Sequence, residues 1–217
     1  MPAADRRIVL ATRNAHKVGE LRQILADALA ATGLELVGLD AFEGLEDVVE
    51  SGVTFADNAL LKARYAASAT GLPALADDSG LAVDVLGGAP GVFSARWGGP
   101  LADATGMPQD EANNALLLAQ LADVPDQHRG AGFVCAAALV IPGEDPGTTG
   151  EEVVREGACR GVLGREPRGT NGFGYDPLLV RPDGRTLAEH DPAEKNEISH
   201  RGEAFRALAA ELELRLG

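Results

Sequence analysis

Lysine is scarce in this chain. Its 217 residues hold only Lys17, Lys62 and Lys195, against sixteen arginines. Cations of both kinds are outnumbered by 33 Asp and Glu, and the net charge is −14. So acidic a chain has no general electrostatic attraction for duplex nucleic acid. No nucleic-acid partner is expected, and any polyanion must be met at a local basic site. Long hydrophobic runs are also missing. No stretch approaches the roughly 20 apolar residues of a membrane span, so no membrane partner is expected either. The start, Met1-Pro2-Ala3-Ala4-Asp5-Arg6-Arg7, lacks the apolar centre of a signal peptide. Cysteine is limited to Cys135 and Cys159. The first lies in Phe133-Val134-Cys135-Ala136, which reads as a strand with the thiol as a small buried hydrophobe. Both thiols are expected to be unpaired, in a reducing cytoplasm.

What is present has an ordinary globular balance, 45% hydrophobic and 24% charged. It suffices for a single domain over residues 1–217, built as one body or two lobes. Ile8-Val9-Leu10-Ala11 reads as a short strand. A helix follows, with Val18, Leu21, Leu25, Ala28 and Leu29 at helical spacing and Gly33 at its end. Leu34 to Val37 alternates as a second strand, and an acidic loop runs from Glu43 to Glu50. Thr54-Phe55-Ala56-Asp57 has the form of a capping box with Asp in place of Glu, opening a helix that Gly71 and Pro73 end. A strand from Pro73 to Ala76 leads to a turn at Asp77-Asp78-Ser79-Gly80. Gly87-Gly88-Ala89-Pro90-Gly91 is a tight loop, and Pro108 suits the first turn of a helix reaching about Leu121. Gly132 to Ile141 is a central strand, residues 142–152 a hairpin excursion, and Val153 to Cys159 the paired return. The last helix carries Phe205, Leu208, Leu212 and Leu216 on one face. The class is α/β, with antiparallel pairing in its middle.

Five segments stand out as suited to anions or flat rings; one, Glu50-Ser51-Gly52-Val53-Thr54-Phe55, also reads as a solvated acidic loop. In Ala76-Asp77-Asp78-Ser79-Gly80-Leu81 two adjacent carboxylates repel each other, and a divalent cation would relieve that repulsion. An Asx turn or a helix cap before Leu81 is the other reading. In Thr12-Arg13-Asn14-Ala15-His16-Lys17, between strand and helix, a hydroxyl, an amide, an ammonium and helix N-terminal N–H groups suit phosphate, although Asn14 also fits a plain helix cap. The segment has no Walker A glycines. Gly169-Thr170-Asn171-Gly172-Phe173-Gly174-Tyr175-Asp176-Pro177 offers a ring on a glycine-framed backbone, suited to stacking on a base or to core burial. In Glu194-Lys195-Asn196-Glu197-Ile198-Ser199-His200-Arg201, Lys195, His200 and Arg201 gather donors before the last helix, although an exposed helix start with ordinary surface charges reads the same. A chain so sparing with lysine uses it where a compact ammonium is needed, and Lys17 and Lys195 fall in these segments.

Together these residues closely resemble the inosine triphosphate pyrophosphatase family, from Val9 to Arg206. The resemblance is carried by Ala11-Thr12-Arg13-Asn14 with Lys17, by Ala76 to Leu81 and by Gly87 to Gly91. Ser94-Ala95-Arg96, Gly172 to Pro177 and Ile198-Ser199-His200-Arg201 complete it. It implies an elongated α/β protein of two lobes, a long mixed sheet flanked by helices, and a substrate cleft between the lobes. It also implies a homodimer and dependence on Mg²⁺. The implied reaction is hydrolysis of dITP, ITP and XTP to the monophosphate and pyrophosphate.

By position, the resemblance assigns Thr12, Arg13, Asn14, Ala15, His16 and Lys17 to phosphates. Asp78 becomes the catalytic base and, with Glu50, the metal ligand; Ser79 touches substrate. Phe173, Gly174, Tyr175 and Asp176 hold the base, with Lys195, His200 and Arg201 around it. The chain departs from the family in having Asp57-Asn58-Ala59 where Glu-Asn-Ala is usual. A pyrophosphatase of the septum-inhibition class, acting on modified pyrimidines, is the nearest enzymatic alternative, and Ser199-His200-Arg201 speaks against it. A nucleotide-binding regulator is the reading left if the Asp pair only holds metal.

Overall fold

A computed structural model describes residues 5–46, 48–143 and 148–217, excluding the side chains of residues 15, 16 and 149. Its strands are β1 (Arg7–Leu10), β2 (Glu35–Gly38), β3 (Ala74–Val83), β4 (Gly130–Pro142), β5 (Thr149–Leu163) and β6 (Leu179–Val180). Its α-helices are α1 (Ala15–Ile24), α2 (Ala26–Thr32), α3 (Phe55–Thr70), α4 (Gly99–Thr105), α5 (Gln109–Gln120), α6 (Pro192–Ile198) and α7 (His200–Leu216). The strands form one six-stranded sheet in the order β2-β1-β3-β4-β5-β6. β1 runs parallel to β2 and β3, and β5 antiparallel to β6, so the α/β class with a mixed sheet holds. Among the described residues no helix is long and apolar enough to cross a membrane. Both cysteines are free and buried.

The chain divides into two compact units. Unit 1 comprises Met1–Asp78, Cys135–Gly157 and Arg201–Gly217; unit 2 comprises Ser79–Val134 and Ala158–His200. In unit 1 the two-residue period of the strands sorts side chains into two cores. Ile8, Leu10, Leu75, Cys135, Ala137 and Leu139 pack with Leu21 of α1 and with Phe205, Leu208 and Leu212 of α7. Their neighbours Val9, Ala74, Ala76, Ala136 and Ala138 face the other way, against Ala59, Ala63, Ala66 and Ala67 of α3. That second core is largely alanine, which lets α3 lie close to the strands. Unit 2 has its own core, including Leu81, Val83, Leu117, Phe133, Leu163, Tyr175 and Leu178.

Local signals in the sequence place most boundaries. Thr54 caps α3 by accepting from the Asp57 N–H at 3.1 Å, and Gly71 closes that helix in the left-handed conformation. Gly33 ends α2 in the same way. Two expectations are corrected. The helix from Val18 to Leu29 is broken at Leu25, where φ is −96° and ψ is 7°, into α1 and α2. The sequence Asp77-Asp78-Ser79-Gly80 does not turn, because β3 runs through it to Val83. Leu81 and Val83 are fully buried, so the strand continues into unit 2's core instead of ending at the charges. Within the excursion at 142–152, Pro142 ends β4 and residues 149–152 begin β5, while residues 144–147 lie outside the described part.

Gly80 shows how closely β3 is packed. A Cβ there would lie 2.6 Å from the Gly91 carbonyl oxygen and would also meet the Ser94 hydroxyl. That hydroxyl accepts from the Leu81 N–H at 2.9 Å and donates to the Gly91 carbonyl at 2.6 Å. Gly80→Ala is expected to destabilise the protein by about 1–3 kcal/mol, the usual cost of overpacking. Urea unfolding checks this: the midpoint should fall with the slope unchanged, and an unaltered midpoint would show that the strand yields freely.

Candidate active site

The alternation that sorts the two cores of unit 1 also separates the two aspartates. Asp77 continues the series of Leu75, which faces α1 and α7. Asp78 continues the series of Ala74 and Ala76, which faces α3. Each carboxylate therefore meets different cations. Asp77 is 4% exposed and is paired with Lys17 of α1 and with Arg201 of α7, whose Nε lies 3.2 Å from Oδ2. The guanidinium of Arg201 also lies 3.7 Å from Glu20 Oε2. Asp78 accepts from the Asn58 amide at 2.9 Å through Oδ2, and its Oδ1 lies 3.7 Å from Lys62 Nζ.

The charge environment of Asp77 follows from these contacts. Burial by itself would raise its pKa, but the ammonium of Lys17 and the guanidinium of Arg201 outweigh burial and hold it well below the usual carboxylate range. Burial would lower the pKa of Arg201, yet Asp77 and Glu20 raise it. This is an ionised buried pair, a structural element as much as a chemical one.

α3 gathers the acidic loop. Asn58, buried at 1% exposure, accepts from the Gly52 N–H at 2.8 Å while it donates to Asp78. Four residues on, Lys62 Nζ meets Glu50 Oε1 at 2.7 Å. Three residues further, the Tyr65 hydroxyl accepts from the Glu46 N–H at 2.8 Å. Asn58, Lys62 and Tyr65 share one face of the helix. Neither Lys62 nor Asn58 was singled out as a site residue from the sequence, although the scarcity of lysine was a usable signal for Lys62. A cavity of about 370 Å³ opens here, with Thr12, Arg13, Lys17, Glu50, Lys62 and Asp77 in its wall.

The segment from Thr12 to Lys17 starts α1. Asn14 Oδ1 accepts from the Lys17 N–H at 3.2 Å, and Thr12 Oγ1 accepts from the Asn14 N–H at 3.2 Å. Asn14 is thus a helix cap, at a helix start that also faces the cavity through Thr12, Arg13 and Lys17. Arg13 donates to the Leu45 carbonyl, which ties it to the acidic loop. The side chains of Ala15 and His16 lie outside the described part.

Unit 2 holds the ring-bearing loop. Phe173 is 62% exposed, with Lys195 Nζ 4.8 Å from its centroid. Asp176 Oδ2 accepts from the Phe173 N–H at 2.9 Å and from Lys195 Nζ at 2.5 Å. Gly172 (φ 78°) and Gly174 (φ 60°) are both left-handed, so the loop needs both glycines. Tyr175 is buried, and its hydroxyl donates to the Ser94 carbonyl at 2.8 Å, so its side chain anchors the loop. Ser79 is half-buried on β3. His200 is buried and stacks on Phe133, with centroids 4.9 Å apart and planes 13° from parallel. Of the donors expected before the last helix, Lys195 meets Phe173 and Asp176, His200 meets Phe133, and Arg201 joins Asp77 in unit 1.

Comparison with known proteins gives this geometry a setting. The Ham1 family model matches residues 8–211. The dITP/XTP pyrophosphatase of Frankia alni is 61% identical over 205 residues, covering 94% of this chain and 95% of that protein. The dITP/XTP pyrophosphatase of Streptomyces avermitilis is 60% identical over 206 residues, covering 93% and 94%. Among solved structures, a HAM1 protein from Coxiella burnetii is 42% identical with a TM-score of 0.82, covering 95% of this chain and 98% of that one. The Mycobacterium abscessus nucleoside-triphosphatase / dITP/XTP pyrophosphatase is 51% identical with a TM-score of 0.73, covering 94% and 97%.

The two aspartates should differ under substitution. Asp77→Asn takes from the buried Arg201 its nearer counter-charge, leaving only Glu20 at 3.7 Å, and is expected to cost about 3–5 kcal/mol of stability. A second consequence concerns pH. Because the folded state depresses the Asp77 pKa below its ordinary 3.8, its contribution is complete above that value. It is lost as the pH falls below it toward the folded pKa. Urea midpoints taken at pH 6 and at pH 3 test both points: the wild type should lose more stability between the two pH values than Asp77→Asn does. Equal losses would remove Asp77 from the acid response.

Proposed function

This chain belongs to the Ham1 family, and from that premise we propose that it hydrolyses the non-standard purine nucleoside triphosphates dITP, ITP and XTP to the monophosphate and pyrophosphate. The observation that carries the reading is the division of labour on β3. One aspartate is locked in a buried ion pair, and the next is directed at α3 and the acidic loop. A carboxylate meant only for structure has no need of such a neighbour.

We assign the triphosphate to Thr12, Arg13, Asn14 and Lys17, with the N-terminal N–H groups of α1 supplying further positive potential. Ala15 and His16 belong to the same turn and are included in the assignment. Asp78 is assigned as general base, accepting the proton of the attacking water. Its Oδ2 accepts from the Asn58 amide, which fixes the plane of the carboxylate. Asn58 is a positioning residue: one amide fixes Asp78 and, through Gly52, the chain that carries Glu50.

A divalent cation fits the residues present. Asp78 Oδ1 and Glu50 Oε1 both lie against one ammonium, that of Lys62, at 3.7 and 2.7 Å, so the two oxygens can share a cation. Among the described residues no group of three or more His, Cys, Asp or Glu side chains could hold a metal ion. Two carboxylates completed by water and substrate phosphates are what Mg²⁺ usually takes. We therefore name Asp78 and Glu50 as its ligands. When bound, Mg²⁺ would offset the charge of the triphosphate.

The base is assigned to unit 2. Phe173 stacks on it, Gly174 and Tyr175 shape the loop, and Asp176, Lys195 and His200 supply polar groups, with Ser79 touching substrate. Arg201 is given a share of base recognition as well. Hypoxanthine and xanthine carry a 6-keto acceptor where adenine has an amino group, so donors favour them and are left unpaired by adenine. The assignment is completed by a cytoplasmic homodimer working as one domain over the whole chain.

The test is a substrate panel scored for pyrophosphate. dITP, ITP and XTP with Mg²⁺ should each yield pyrophosphate and monophosphate, with ATP much slower. In ¹⁸O-water the label should enter IMP, because one-step loss of pyrophosphate requires attack at the α-phosphorus. Orthophosphate as the product would sink the proposal. Asp78→Asn should keep the wild-type melting temperature and lose more than about tenfold in turnover, a barrier rise above ~1.4 kcal/mol. Retained turnover would withdraw the base from Asp78.

A further inference from the structure

The loop that bears Phe173 poses a mechanical question. Its ring is 62% exposed, so packing of the ring holds it only weakly. Its neighbours Gly172 and Gly174 are left-handed glycines, which add freedom to the chain. A stacking ring must nevertheless keep its plane. Asp176 closes the loop from within by accepting from the Phe173 N–H. Lys195 lies over the ring, and Tyr175 anchors the next residue in the core. A further restraint comes from a helix.

α5 reaches the loop with two side chains. The Gly174 N–H donates to Asp110 Oδ2 at 2.9 Å, and the Gly174 carbonyl accepts from Asn114 Nδ2 at 3.0 Å. Asp110 and Asn114 are four residues apart and so lie on one face of the helix. Both polar groups of Gly174 are thereby held from one rigid element of unit 2. Asn114 is 8% exposed, and its Oδ1 is buried with no hydrogen-bond partner. Turning the amide over would give Oδ1 nothing to accept and would set it against the Gly174 carbonyl. The orientation is thus dictated by Gly174, and the cost of the orphaned acceptor is borne by the fold. A leucine would fill the same space without that cost, so stability alone does not account for an asparagine here.

We propose that Asp110 and Asn114 form a two-point clamp on Gly174 that sets the plane of the Phe173 ring and hence the affinity for the purine, without touching the base. Both are positioning residues. The inference rests on the assignment of Phe173 to base stacking.

The test separates binding from turnover and from folding. In Asn114→Leu and in Asp110→Ala, KM for dITP should rise about tenfold with kcat within about twofold, a loss comparable to that of one stacking contact. Titration calorimetry with IMP should show the same weakening, and this readout does not depend on turnover. Asp110→Asn keeps an acceptor for the Gly174 N–H and should restore wild-type KM. The melting temperature of Asn114→Leu should equal or exceed that of the wild type. If Asn114→Leu fails to fold, the exposed Asp110 carries the test alone. Unchanged KM and IMP affinity in Asp110→Ala would overturn the clamp, as would a loss that tracks falling melting temperature. A wild type that binds IMP but releases no pyrophosphate would instead refute the catalytic reading and leave the clamp to be judged by calorimetry.

Discussion

A β-strand turns successive side chains to opposite faces, and at Asp77 and Asp78 that geometry decides how much negative charge one place can hold. Two adjacent carboxylates on one surface would repel. On β3 one is sent toward α1 and α7 and the other toward α3, and each finds its own positive partner. The rest of unit 1 follows from this division. Arg201 is tied to the strand by Asp77, which draws the start of α7 to the sheet. Asn58 and Lys62 occupy one face of α3 because that face looks at Asp78 and at the acidic loop. The alanines at 59, 63, 66 and 67 make the close approach possible. Shortening or lengthening β3 by one residue ahead of the pair would exchange the two roles and bury the wrong acid.

Unit 2 solves a different problem, that of presenting an apolar ring to solvent. A rigid loop would come from packed side chains, but this ring is left uncovered. The chain uses backbone hydrogen bonds instead. Asp176 holds the Phe173 N–H, Tyr175 is sunk in the core, and α5 grips Gly174. The exposed ring is thus the visible end of a frame made almost wholly of polar contacts.

How much of this was legible in the sequence depends on the range of the forces involved. Helix caps at Thr54, Gly33 and Gly71 rest on neighbouring residues and were readable. The candidate segments also stood out in the sequence, through the adjacent aspartates, the glycine-framed Phe173 and the placement of scarce lysines. The course of β3 was not: Asp-Asp-Ser-Gly has the composition of a turn, and only the burial of Leu81 and Val83 and the closeness of Ser94 keep it extended. The break at Leu25 lies inside an unbroken apolar period. The pairing of Arg201 with Asp77 spans 124 positions, and no local pattern announces a partner so far away. Lys62 was signalled by scarcity alone, and its partners Glu50 and Asp78 come together only through the fold.

That scarcity has a chemical consequence. Lys17, Lys62 and Lys195 are paired with Asp77, Glu50 and Asp176, and their side chains are 22%, 17% and 14% exposed. Elsewhere the positive charge is carried by arginine, which reagents selective for amines do not touch. Such a protein has no decoy amines on its surface. An acetyl or carbamoyl group that reaches a lysine side chain of this chain falls on one of three ion pairs and removes a cation from it. Lysine acylation of this chain is therefore a matter of breaking ion pairs, not of recoating a surface.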